Sequence, residues 1–556
     1  YGFPMRFFNR LGALEVEGET VCNMAGHVAS IYTIGIRYYG FDPRTAKDTN
    51  CIVVWGANPS ATGPHAYKHW LPEAPGKKIV IDPRRTRTAE MADLHLQPFP
   101  GSDAALAFAM LHVLRRDGMI DQGFITEHVM GWNEVEPLLD EYTPAWGEAV
   151  TDVPAEKIEE AAHIYGEGPS LLWIGQGMQR QPNGGNAFRA CSMLPAFTGN
   201  FGKPGSGLYY MNFDGPTRGF DDDYIEAPHL RSTERKAFSQ MDLAQRLEAP
   251  SDIEAFICWN INPAASSPEQ TRLHKALSRE DLFTVVSDLF QTDTTDFADI
   301  VLPAASFLEF DDLVTSYFNW TIGPQVKAQE PIGESLPNQE IFRRLARAMG
   351  YQEPELYESD ESVIEHLLDG TSFEGGFEAL KKVGTVFATP EPILQFADLR
   401  FPTSSGKIEI ASAQAEADGH PRIPQAITDP RPSANRLRLL SPATPWLMND
   451  SYANESRIVK EMGPASVAIH PDDAEGLGLK EGDEARLSND TGEIVLRVRL
   501  SDEIMPGVAL AHKGRWPKRE ENRANVNILN PGVKTDMGES SSVHGVEVTV
   551  TPLSTN

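Results

Sequence analysis

Short runs of apolar residues alternate with longer, helix-like stretches along the first half of the chain. The run Cys51–Trp55 predicts a buried strand, and Lys78–Ile81 predicts a second strand after a polar, helix-rich segment. Such alternation is typical of parallel sheets with helical crossovers. Residues 103–117 begin with an aspartate as N-cap and are apolar on most faces, which predicts a buried helix. Further helices are predicted at 154–165 and 186–197, and a further strand at 171–174.

The same order of elements recurs later in the chain. Residues 255–259 predict a strand that ends in Asn-Ile-Asn-Pro, a helix follows near 269–278, and residues 283–286 predict the next strand. Side by side, VVWGANPSA with KIVIDP and FICWNINPAA with FTVVSD predict an internal repeat of a nucleotide-binding half-domain, although two short matches can also arise by chance.

Beyond residue 434 the pattern changes. The polar, proline-rich segment 418–434 is interpreted as a linker. Short strands predicted at 485–487, 493–499, 508–511 and 546–550 indicate a separate β-barrel or sandwich. The length of 556 residues suits three or four domains. The predicted fold class is α/β, with two half-domains built on parallel sheets and a C-terminal β-barrel.

Charge and cysteine content exclude several classes of function. The chain has 79 Asp and Glu against 49 Lys and Arg, and the net charge of −30 disfavours nucleic acid or an anionic membrane as the main partner. Its apolar stretches fall short of the ~18 residues that span a bilayer, so direct membrane insertion is not expected. The four cysteines, at positions 22, 51, 191 and 258, include no Cys-x-x-Cys pair and encode neither a disulfide framework nor a cysteine-ligated cluster.

Polar residues follow the predicted strands, at the sheet edge where open parallel sheets bind ligands. Gly56 permits close backbone approach, and the Asn58 amide can both donate and accept hydrogen bonds. Asp82 ends the next strand, where a carboxylate can hold a ribose hydroxyl. The alternatives are an ordinary turn at Gly56–Asn58 and a cap at Asp82. Neither strand precedes the glycine-rich dinucleotide fingerprint, so NAD or FAD binding has little support.

Two loops and one cysteine complete the candidate residues. The loop Gly101–Asp103 offers groups suited to a guanine or ribose edge, the alternative being helix capping by Asp103. A Gly-x-Gly loop at 175–177 ends the strand predicted at 171–174. Cys22 is suited to bind a soft metal as thiolate, with His27 as a nearby protonatable group. The alternatives are a small buried thiol and an ordinary loop histidine.

In this order, the segments resemble the molybdopterin oxidoreductases of the dimethyl sulfoxide reductase family. The resemblance covers nearly the whole chain, and its strength lies in the order and spacing of many elements. They are TVCNMAGHVA, VVWGANPSATGPH, VIDPRRTRTAEMADLHLQPFPGSDAAL, GQGMQR, LPAFTGNFGKPGSG, VVSDLFQTDTTDFADIVLPAASFLE, SGKIE, and a C-terminal stretch from LSPATPWLMNDSYAN to NVNILNPGVKTDMGESSSVHG.

The resemblance implies an enzyme that holds molybdenum or tungsten between two molybdopterin guanine dinucleotides. It implies a two-electron redox reaction, expected to be oxygen- or sulfur-atom transfer on a small substrate. Cys22 is then the metal ligand and His27 a catalytic proton carrier, with Tyr209 and Tyr210 expected near the substrate. The implied cofactor-binding residues are Gly56, Asn58, Asp82, Arg84, Gly101, Ser102 and Asp103 for one dinucleotide, Gly175, Gln176, Gly177, Asn260, Asn262, Pro263, Asp288 and Thr294 for the second, and Ser441, Thr444, Asn449, Asn525 and Asn527 from the C-terminal domain.

The resemblance also implies the domain organisation and the partners. The expected segments are a metal-ligand segment at 1–50, a first dinucleotide-binding domain at 51–170, a second, pseudo-symmetric one at 171–345, a return segment and linker at 346–434, and the C-terminal molybdopterin dinucleotide-binding barrel at 435–556. An electron-transfer subunit or carrier is the expected partner. The compartment stays open between cytoplasm and periplasm.

The chain departs from the family pattern in two places. Family members commonly begin with a domain that holds an iron–sulfur cluster, and because the chain starts at Tyr1 we expect a truncated start, with a cluster only if such a domain exists. In the family's formate dehydrogenases a histidine follows the (seleno)cysteine directly, and an Arg-Gly-Gln-Asn-Asn element follows the Thr-Gly-Asn segment. Here Asn23 follows Cys22, and residues 208–213 replace the arginine element, so formate is not expected as substrate.

Three other functions compete with this interpretation. One is a structural subunit of an electron-transfer complex that has lost the cofactor, which the retained Cys22, Asp82 and 101–103 segment disfavour. Another is a non-redox hydratase that uses the same cofactor, which the sequence leaves open. The third is a nicotinamide dehydrogenase, which the missing fingerprint disfavours.

Overall fold

Two compact units make up the chain, and each joins segments that are distant in sequence. The computed structural model describes residues 2–37, 39–212 and 220–553, so Phe213 lies outside the described residues. The smaller unit consists of residues 1–17, 212–267 and 271–391, and the larger unit of 18–211, 268–270 and 392–556. The division into five segments expected from the sequence stays a prediction.

A five-stranded parallel sheet forms the first part of the larger unit. Its strands run in the order Leu94–Leu96, Lys77–Ile81, Cys51–Trp55, Ser170–Ile174 and Gly207–Tyr209. Cys51–Trp55 is buried along its whole length, which explains its unbroken apolar sequence. In the register, Trp55 lies between Ile81 and Ile174, so the three strands end side by side. The residues that follow them therefore start from one edge of the sheet.

Two long buried helices belong to the core of the larger unit. Gly184–Phe197 is buried along its entire length, and Asp103–Arg116 is buried for eleven of its fourteen residues. Asp103 is the first helical residue and not the N-cap, which is Ser102, so the sequence prediction of an N-cap aspartate is wrong by one position. The other helices of this unit are Met24–Ile34, Pro59–Thr62, Leu71–Glu73, Arg87–Glu90, Gln122–His128, Trp132–Val135, Pro144–Thr151, Ala155–Gly166, Gln176–Gln179, Ala413–Ala417, Ser456–Met462 and Pro471–Leu477. A small parallel pair joins Val129–Met130 to Ile408–Glu409.

A closed six-stranded barrel forms the C-terminal part of the larger unit. Its strands run in the order Arg436–Leu440, Val508–Leu510, Ser466–Ile469, Glu493–Leu500, Glu484–Ser488 and Glu547–Pro552. Alternate residues of Glu493–Leu500 are buried, and they pack with Val467, Leu487 and Val548 in one apolar core. Closure leaves the barrel without a free sheet edge.

The smaller unit contains a three-stranded parallel sheet. Its strands run in the order Ile300–Pro303, Phe283–Asp288 and Ala255–Trp259. Leu14–Glu17 pairs in parallel with Lys236–Ser239, and Asp312–Thr315, Thr321–Gln325 and Val386–Phe387 form an antiparallel sheet. The helices of this unit are Phe3–Leu11, Asp222–Glu226, Leu243–Leu247, Pro263–Ser266, Gln270–Leu277 from its second residue onward, Asn338–Ala348, Asp360–Asp369 and Gly376–Val383.

The predicted fold class is confirmed, since the protein is α/β with parallel sheets and a C-terminal barrel. Most strand predictions agree with the structure to within two residues, and the helix expected near 269–278 is Gln270–Leu277. Over residues 2–37, 39–212 and 220–553, no helix combines the length and apolar character needed to cross a bilayer.

Candidate active site

Cys22 lies in a turn just before the helix Met24–Ile34 and meets the loop that follows strand Ser170–Ile174. Its half-buried Sγ lies 3.5 Å from Gln176 Oε1 and 3.4 Å from Arg180 Nη2. The Cys22 carbonyl oxygen accepts from Gln179 Nε2 and Arg180 Nε, both at 2.9 Å. The structure thus brings the predicted metal ligand and the predicted cofactor residue Gln176 together.

His27 lies on the inner side of the same helix and is fully buried. Its Nδ1 is 3.4 Å from Glu19 Oε2, and its ring meets Tyr210 edge to face, with 5.7 Å between ring centroids. Tyr210 in turn donates its hydroxyl to the Asn23 carbonyl oxygen at 3.1 Å. The half-exposed Glu19 is therefore the acidic group beside this imidazole. The catalytic role of His27 stays a prediction.

Tyr209 does not occupy the funnel position expected from the sequence. It is fully buried among aromatic rings, with its centroid 5.0 Å from Trp173 and 6.3 Å from Trp70. Tyr209 lies on the strand Gly207–Tyr209, and its ring packs in the apolar interior.

The end of strand Cys51–Trp55 forms a hydrogen-bonded motif around Asn58. Gly56 has a φ of 65° and donates its N–H to Ile81 O at 2.8 Å. Asn58 Oδ1 accepts from the hydroxyls of Ser60 at 2.6 Å and Thr88 at 2.8 Å, while Thr88 Oγ1 accepts from Ser60 N–H at 3.1 Å. The motif fixes the start of the helix Pro59–Thr62 and leaves the Asn58 amide NH₂ available to a ligand.

The smaller unit carries a second copy of this motif around Asn262. Asn260 has a φ of 53° and donates its N–H to Ser287 O at 3.0 Å, as Gly56 does to Ile81. Asn262 Oδ1 accepts from the Thr294 hydroxyl at 2.8 Å, and Thr294 Oγ1 accepts from Ala264 N–H at 3.1 Å. Pro263 begins the following helix, as Pro59 does.

The two motifs match in backbone angles as well as in hydrogen bonds. Asn58 has φ −124° and ψ 74°, and Asn262 has φ −115° and ψ 69°. Asp82 accepts from the N–H two residues later at 2.9 Å, and Asp288 does the same at 3.3 Å. This agreement at many atoms supports the internal repeat and makes Thr88 the counterpart of Thr294. Sequence reasoning missed Thr88, although it follows Asp82 at the spacing by which Thr294 follows Asp288.

Gly175 begins the loop after strand Ser170–Ile174 and lies against the first motif. Its N–H donates to Trp55 O at 2.7 Å, and the N–H of Gly177 donates to Gly56 O at 3.2 Å. A Cβ on Gly175 would lie 2.2 Å from Gly56 O and 2.4 Å from Ala57 Cβ. Glycine is therefore required for the close approach of these two strand-end loops.

The loop Gly101–Asp103 lies against a residue that the sequence placed in a linker. Asp429 is 3 % exposed, donates its N–H to Gly101 O at 2.8 Å, and has Oδ2 only 2.4 Å from where a Cβ on Gly101 would be. Ser102 donates its hydroxyl to Phe99 O at 2.7 Å, and Asp103 accepts from Trp55 Nε1 at 2.7 Å. The segment 418–434 therefore packs onto the site.

Three carboxyl groups in this region have raised pKa values. Burial raises the pKa of Asp103 to about 6 against the hydrogen bond from Trp55, and it raises the pKa of Asp429 to about 6 against the charge of Arg438. Burial raises the pKa of Asp82 to about 7 against the hydrogen bond from Arg84 N–H. The carboxyls also repel one another, since the charge of Asp103 contributes to the shifts of both Asp82 and Asp429.

Replacing Asp103 by asparagine is expected to weaken the pH dependence of stability of the cofactor-free protein. The pKa of Asp103 lies above its unfolded value of ~3.9, so its stabilising contribution is complete below about pH 4 and disappears as pH rises through about 6. Between pH 5 and pH 8, the melting temperature of the wild-type chain should fall by a few degrees more than that of Asp103→Asn. Calorimetry at the two pH values measures this difference. An equal loss in both proteins contradicts this assignment.

Arg84 and the C-terminal residues lie in loops that are held by an ion pair and by hydrogen bonds, two of which join neighbouring residues. Arg84 Nη2 pairs with Glu503 Oε2 at 3.2 Å. Ser441 donates its N–H to His544 Nδ1 at 3.4 Å, and Thr444 Oγ1 accepts from Trp446 N–H at 3.3 Å. Asn525 Oδ1 accepts from Asn527 N–H at 2.9 Å.

Asn449 contacts Lys513, one of two basic residues that the sequence did not single out. It has a φ of 57°, and its Oδ1 accepts from Lys513 Nζ at 3.1 Å. Burial, followed by the charge of Arg180, lowers the pKa of Lys513 to about 8. His544 donates its N–H to Arg180 O at 3.1 Å, which links these barrel loops to the Cys22 region. Arg180 lies within the quoted GQGMQR element, but nothing in the sequence linked it to Lys513.

The donor set around Cys22 restricts how a metal can be held there. Within the described ranges, no group of three or more His, Cys, Asp and Glu side chains could hold a metal ion.

Comparisons with known proteins agree with this geometry. The family model for molybdopterin oxidoreductases matches residues 5–348, and that for molybdopterin dinucleotide binding domains matches residues 437–546. A Bacillus subtilis (strain 168) protein described as probable oxidoreductase YoaE is 33% identical over 97% of this chain and 79% of its own. The alpha subunit of F420-dependent formate dehydrogenase 1 from Methanococcus maripaludis is 28% identical over 88% of this chain and 75% of its own. The dimethyl sulfoxide/trimethylamine N-oxide reductase of Rhodobacter capsulatus is 28% identical over 90% of this chain and 70% of its own.

A solved structure shares the fold. Acetylene hydratase from Pelobacter acetylenicus superposes with a TM-score of 0.84 at 21% identity, covering 100% of this chain and 84% of the other. This likeness concerns the fold alone.

Proposed function

This chain belongs to the molybdopterin oxidoreductase family, and from that membership we propose that Cys22 is the protein ligand of a molybdenum or tungsten ion carried by two molybdopterin guanine dinucleotides. The chain is an oxidoreductase of this family and resembles members of the dimethyl sulfoxide reductase group. The observation that carries the proposal is the position of the half-buried Cys22 thiol between Gln176 and Arg180, beside strand ends that form a cofactor-type motif.

The residues present fit such a cofactor. Cys22 supplies one soft ligand, and no described cluster of protein side chains could supply the others. When bound, the group supplies sulfur ligands to the metal and a centre that changes oxidation state by two electrons. The motifs around Asn58 and Asn262 each fix the start of a short helix at a strand end, which suits one dinucleotide each. The amide NH₂ of Asn262 already donates to Asp293 Oδ2 at 3.2 Å.

The chain's own residues have distinct tasks in the proposed reaction. Cys22 holds the metal, while the hydrogen bonds from Gln179 and Arg180 to its carbonyl fix the turn that presents the thiol. Asn58, Asn262 and their threonine partners orient the two dinucleotides. His27 and Glu19 are proposed to hold and pass a proton between the buried imidazole and the half-exposed carboxylate.

We further propose oxygen- or sulfur-atom transfer on a small substrate, with a separate subunit or carrier that exchanges the electrons. Formate is not the proposed substrate, because the residue after Cys22 is the buried Asn23, whose Nδ2 lies 3.0 Å from Met211 Sδ. An iron–sulfur cluster is part of this proposal only if a further, N-terminal domain exists. Hydration by the same cofactor is the alternative outcome of the test.

Expression in a host that makes the cofactor should yield protein with molybdenum or tungsten close to one ion per chain and two pterins per metal. Elemental mass spectrometry measures the metal, and fluorescence of oxidised pterins measures the cofactor. The protein should also turn over oxo-donor substrates with a reduced artificial electron carrier, or oxo-acceptor substrates with an oxidised one. Absence of both metal and pterin contradicts the proposal, and turnover without any electron carrier identifies a hydratase.

A further inference from the structure

Asn23 begins the helix Met24–Ile34 but does not cap it with its side chain. It is the N-cap residue, with φ −138° and ψ 5°, and its side chain accepts no hydrogen bond from the first turn. Gln179 Oε1 accepts from the Gly26 N–H at 3.3 Å and serves that turn instead. Asparagine is favoured at N-caps because its side-chain oxygen satisfies a free N–H of the first turn. The Asn23 oxygen is therefore kept from its ordinary use.

The NH₂ end of the Asn23 amide is held by a sulfur atom. Nδ2 donates to Met211 Sδ at 3.0 Å. A thioether sulfur has no hydrogen to donate, so it can receive only the NH₂ end of an amide. The same sulfur lies 3.7 Å from Gln176 Nε2, and the other end of that amide, Oε1, lies 3.5 Å from Cys22 Sγ. Met211, which is 4 % exposed, thus orients two amides next to Cys22.

This orientation leaves the Asn23 oxygen buried without a hydrogen bond. Asn23 is 5 % exposed, and its Oδ1 has no hydrogen-bond partner in the part of the chain that the structure describes. Its backbone, in contrast, is satisfied: the N–H donates to Glu19 O at 3.0 Å, and the carbonyl accepts from the Tyr210 hydroxyl at 3.1 Å. A buried amide oxygen without a donor destabilises a protein. A ligand that supplies an N–H or O–H group would remove this penalty.

We propose that Asn23 Oδ1 accepts a hydrogen bond from the substrate at Cys22, and that Met211 is the positioning residue that holds it. The inference rests on the function proposed above and adds a substrate class: a small oxo compound that also carries an N–H or O–H donor. Asn23 directly follows the proposed metal ligand, and both residues contact the pair formed by Gln176 and Met211. Simple sulfoxides and tertiary amine N-oxides leave Oδ1 unpaired and should be poorer substrates.

The first test uses the cofactor-free chain and two thiol reagents. Iodoacetamide has amide N–H groups and 2-iodo-N,N-dimethylacetamide has none, and each alkylates the Cys22 sulfur with loss of iodide. Peptide mass spectrometry gives both rates, with the buried cysteines as internal references. A change in exposure or protonation of the thiol alters both rates alike, so their ratio reports the hydrogen bond. The ratio of the iodoacetamide rate to the dimethyl rate should fall about 3- to 10-fold in Asn23→Leu, which is close to asparagine in shape.

Variants of Met211 test whether it acts through Asn23. Met211→Leu keeps the volume and removes the sulfur acceptor, so the ratio should fall about 2-fold or more. In the Asn23→Leu background it should have no further effect. Met211→Gln supplies an amide oxygen that can accept from Asn23 Nδ2 and should keep most of the wild-type ratio. Met193→Leu, at a fully buried methionine of the helix Gly184–Phe197, is the matched control and should leave the ratio unchanged.

Melting temperatures show which variants fold. An equal ratio in the wild-type chain and in folded Asn23→Leu overturns the proposal. A ratio that falls in Gln176→Leu and not in Asn23→Leu also overturns it, because the acceptor is then Gln176 Oε1. If Met211→Leu has the same effect with and without Asn23, Met211 is not the positioning residue of Asn23.

The second test uses the cofactor-loaded enzyme with nicotinamide N-oxide and its N,N-dimethyl amide, which lacks the N–H donors. The ratio of kcat/KM for the first to kcat/KM for the second should fall about 3- to 10-fold in Asn23→Leu, mainly through KM. Met193→Leu should keep the wild-type ratio. An unchanged ratio in Asn23→Leu removes the substrate contact.

Metal and pterin contents distinguish the remaining outcomes. If Asn23→Leu loses pterin in proportion to its activity on both N-oxides, Oδ1 binds the cofactor and the proposal of substrate selection is overturned. If even the wild-type chain holds no metal or pterin, the proposed function fails, while the two thiol reagents still decide whether Asn23 binds a hydrogen-bond donor at Cys22.

Discussion

Replacing Cys22 by serine is expected to lower turnover by at least about 100-fold while the melting temperature changes by less than a few degrees. Loss of groups that only orient a metal ligand already costs about 10- to 100-fold, so loss of the ligand itself should cost at least as much. The fold should tolerate the change, because Cys22 Sγ is half-buried and makes only long contacts to Gln176 and Arg180. Turnover with a reduced artificial electron carrier measures the first effect and calorimetry measures the second, while metal content shows how much of the protein is loaded.

Cys191→Ala is the matched control for this experiment. Cys191 is fully buried in the helix Gly184–Phe197, and burial raises the pKa of its thiol well above the usual range, so it is an inert core residue. The variant should keep turnover per bound metal and lose some stability. Full activity in Cys22→Ser, with normal metal content, would remove Cys22 from the ligand role.

Replacing Gly175 by valine is expected to destabilise the protein by about 1–3 kcal/mol and to prevent stable cofactor binding. Even the first added carbon would lie 2.2 Å from the carbonyl oxygen of Gly56, a backbone atom that cannot rotate away. The loops after two neighbouring strands would have to separate, and both carry proposed cofactor residues. Denaturant unfolding measures the stability loss, and pterin fluorescence measures the retained cofactor.

Gly123→Ala provides the comparison. Gly123 lies in the helix Gln122–His128, where an added Cβ would meet its nearest atom, Asp121 Oδ1, at an ordinary 3.5 Å. Alanine is also the better helix former, so this variant should be neutral or slightly stabilising. A Gly175→Val protein with normal stability and pterin content contradicts the role of close packing at this site.

The sequence predicted the parts of the site that lie directly at strand ends. A buried parallel strand appears as a short apolar run, and its last residue fixes where the polar residues of the following loop start. For this reason Gly56, Asn58, Asp82 and their counterparts could be located from the sequence. The matched hydrogen bonds around Asn58 and Asn262 give a physical reason for the similarity of the two short segments.

The residues of the candidate site that the sequence did not predict are placed there by the folding together of distant segments. Asp429 lies in a polar, proline-rich stretch that has the composition of a linker, yet the nearby Gln425 exchanges two hydrogen bonds with Asn186, each at 2.9 Å. Arg180 and Lys513 belong to a strand-end loop and a barrel loop, and no periodic pattern relates such residues. Local patterns report secondary structure, while these contacts depend on the tertiary fold.

The turn that carries Cys22 is completed by residues near the other end of the chain. Thr20 O accepts from Ser541 N–H at 2.8 Å and from Ser540 Oγ at 3.0 Å, and Gly538 packs against the backbone of Met24. A ribosome adding about 5–20 residues per second needs roughly half a minute to two minutes to progress from Thr20 to Ser541. During that time the Cys22 turn lacks its supporting contacts. The proposed cofactor can therefore enter a completed site only after the residues up to Ser541 have been synthesised, and a nascent chain that stops before them would offer no completed site.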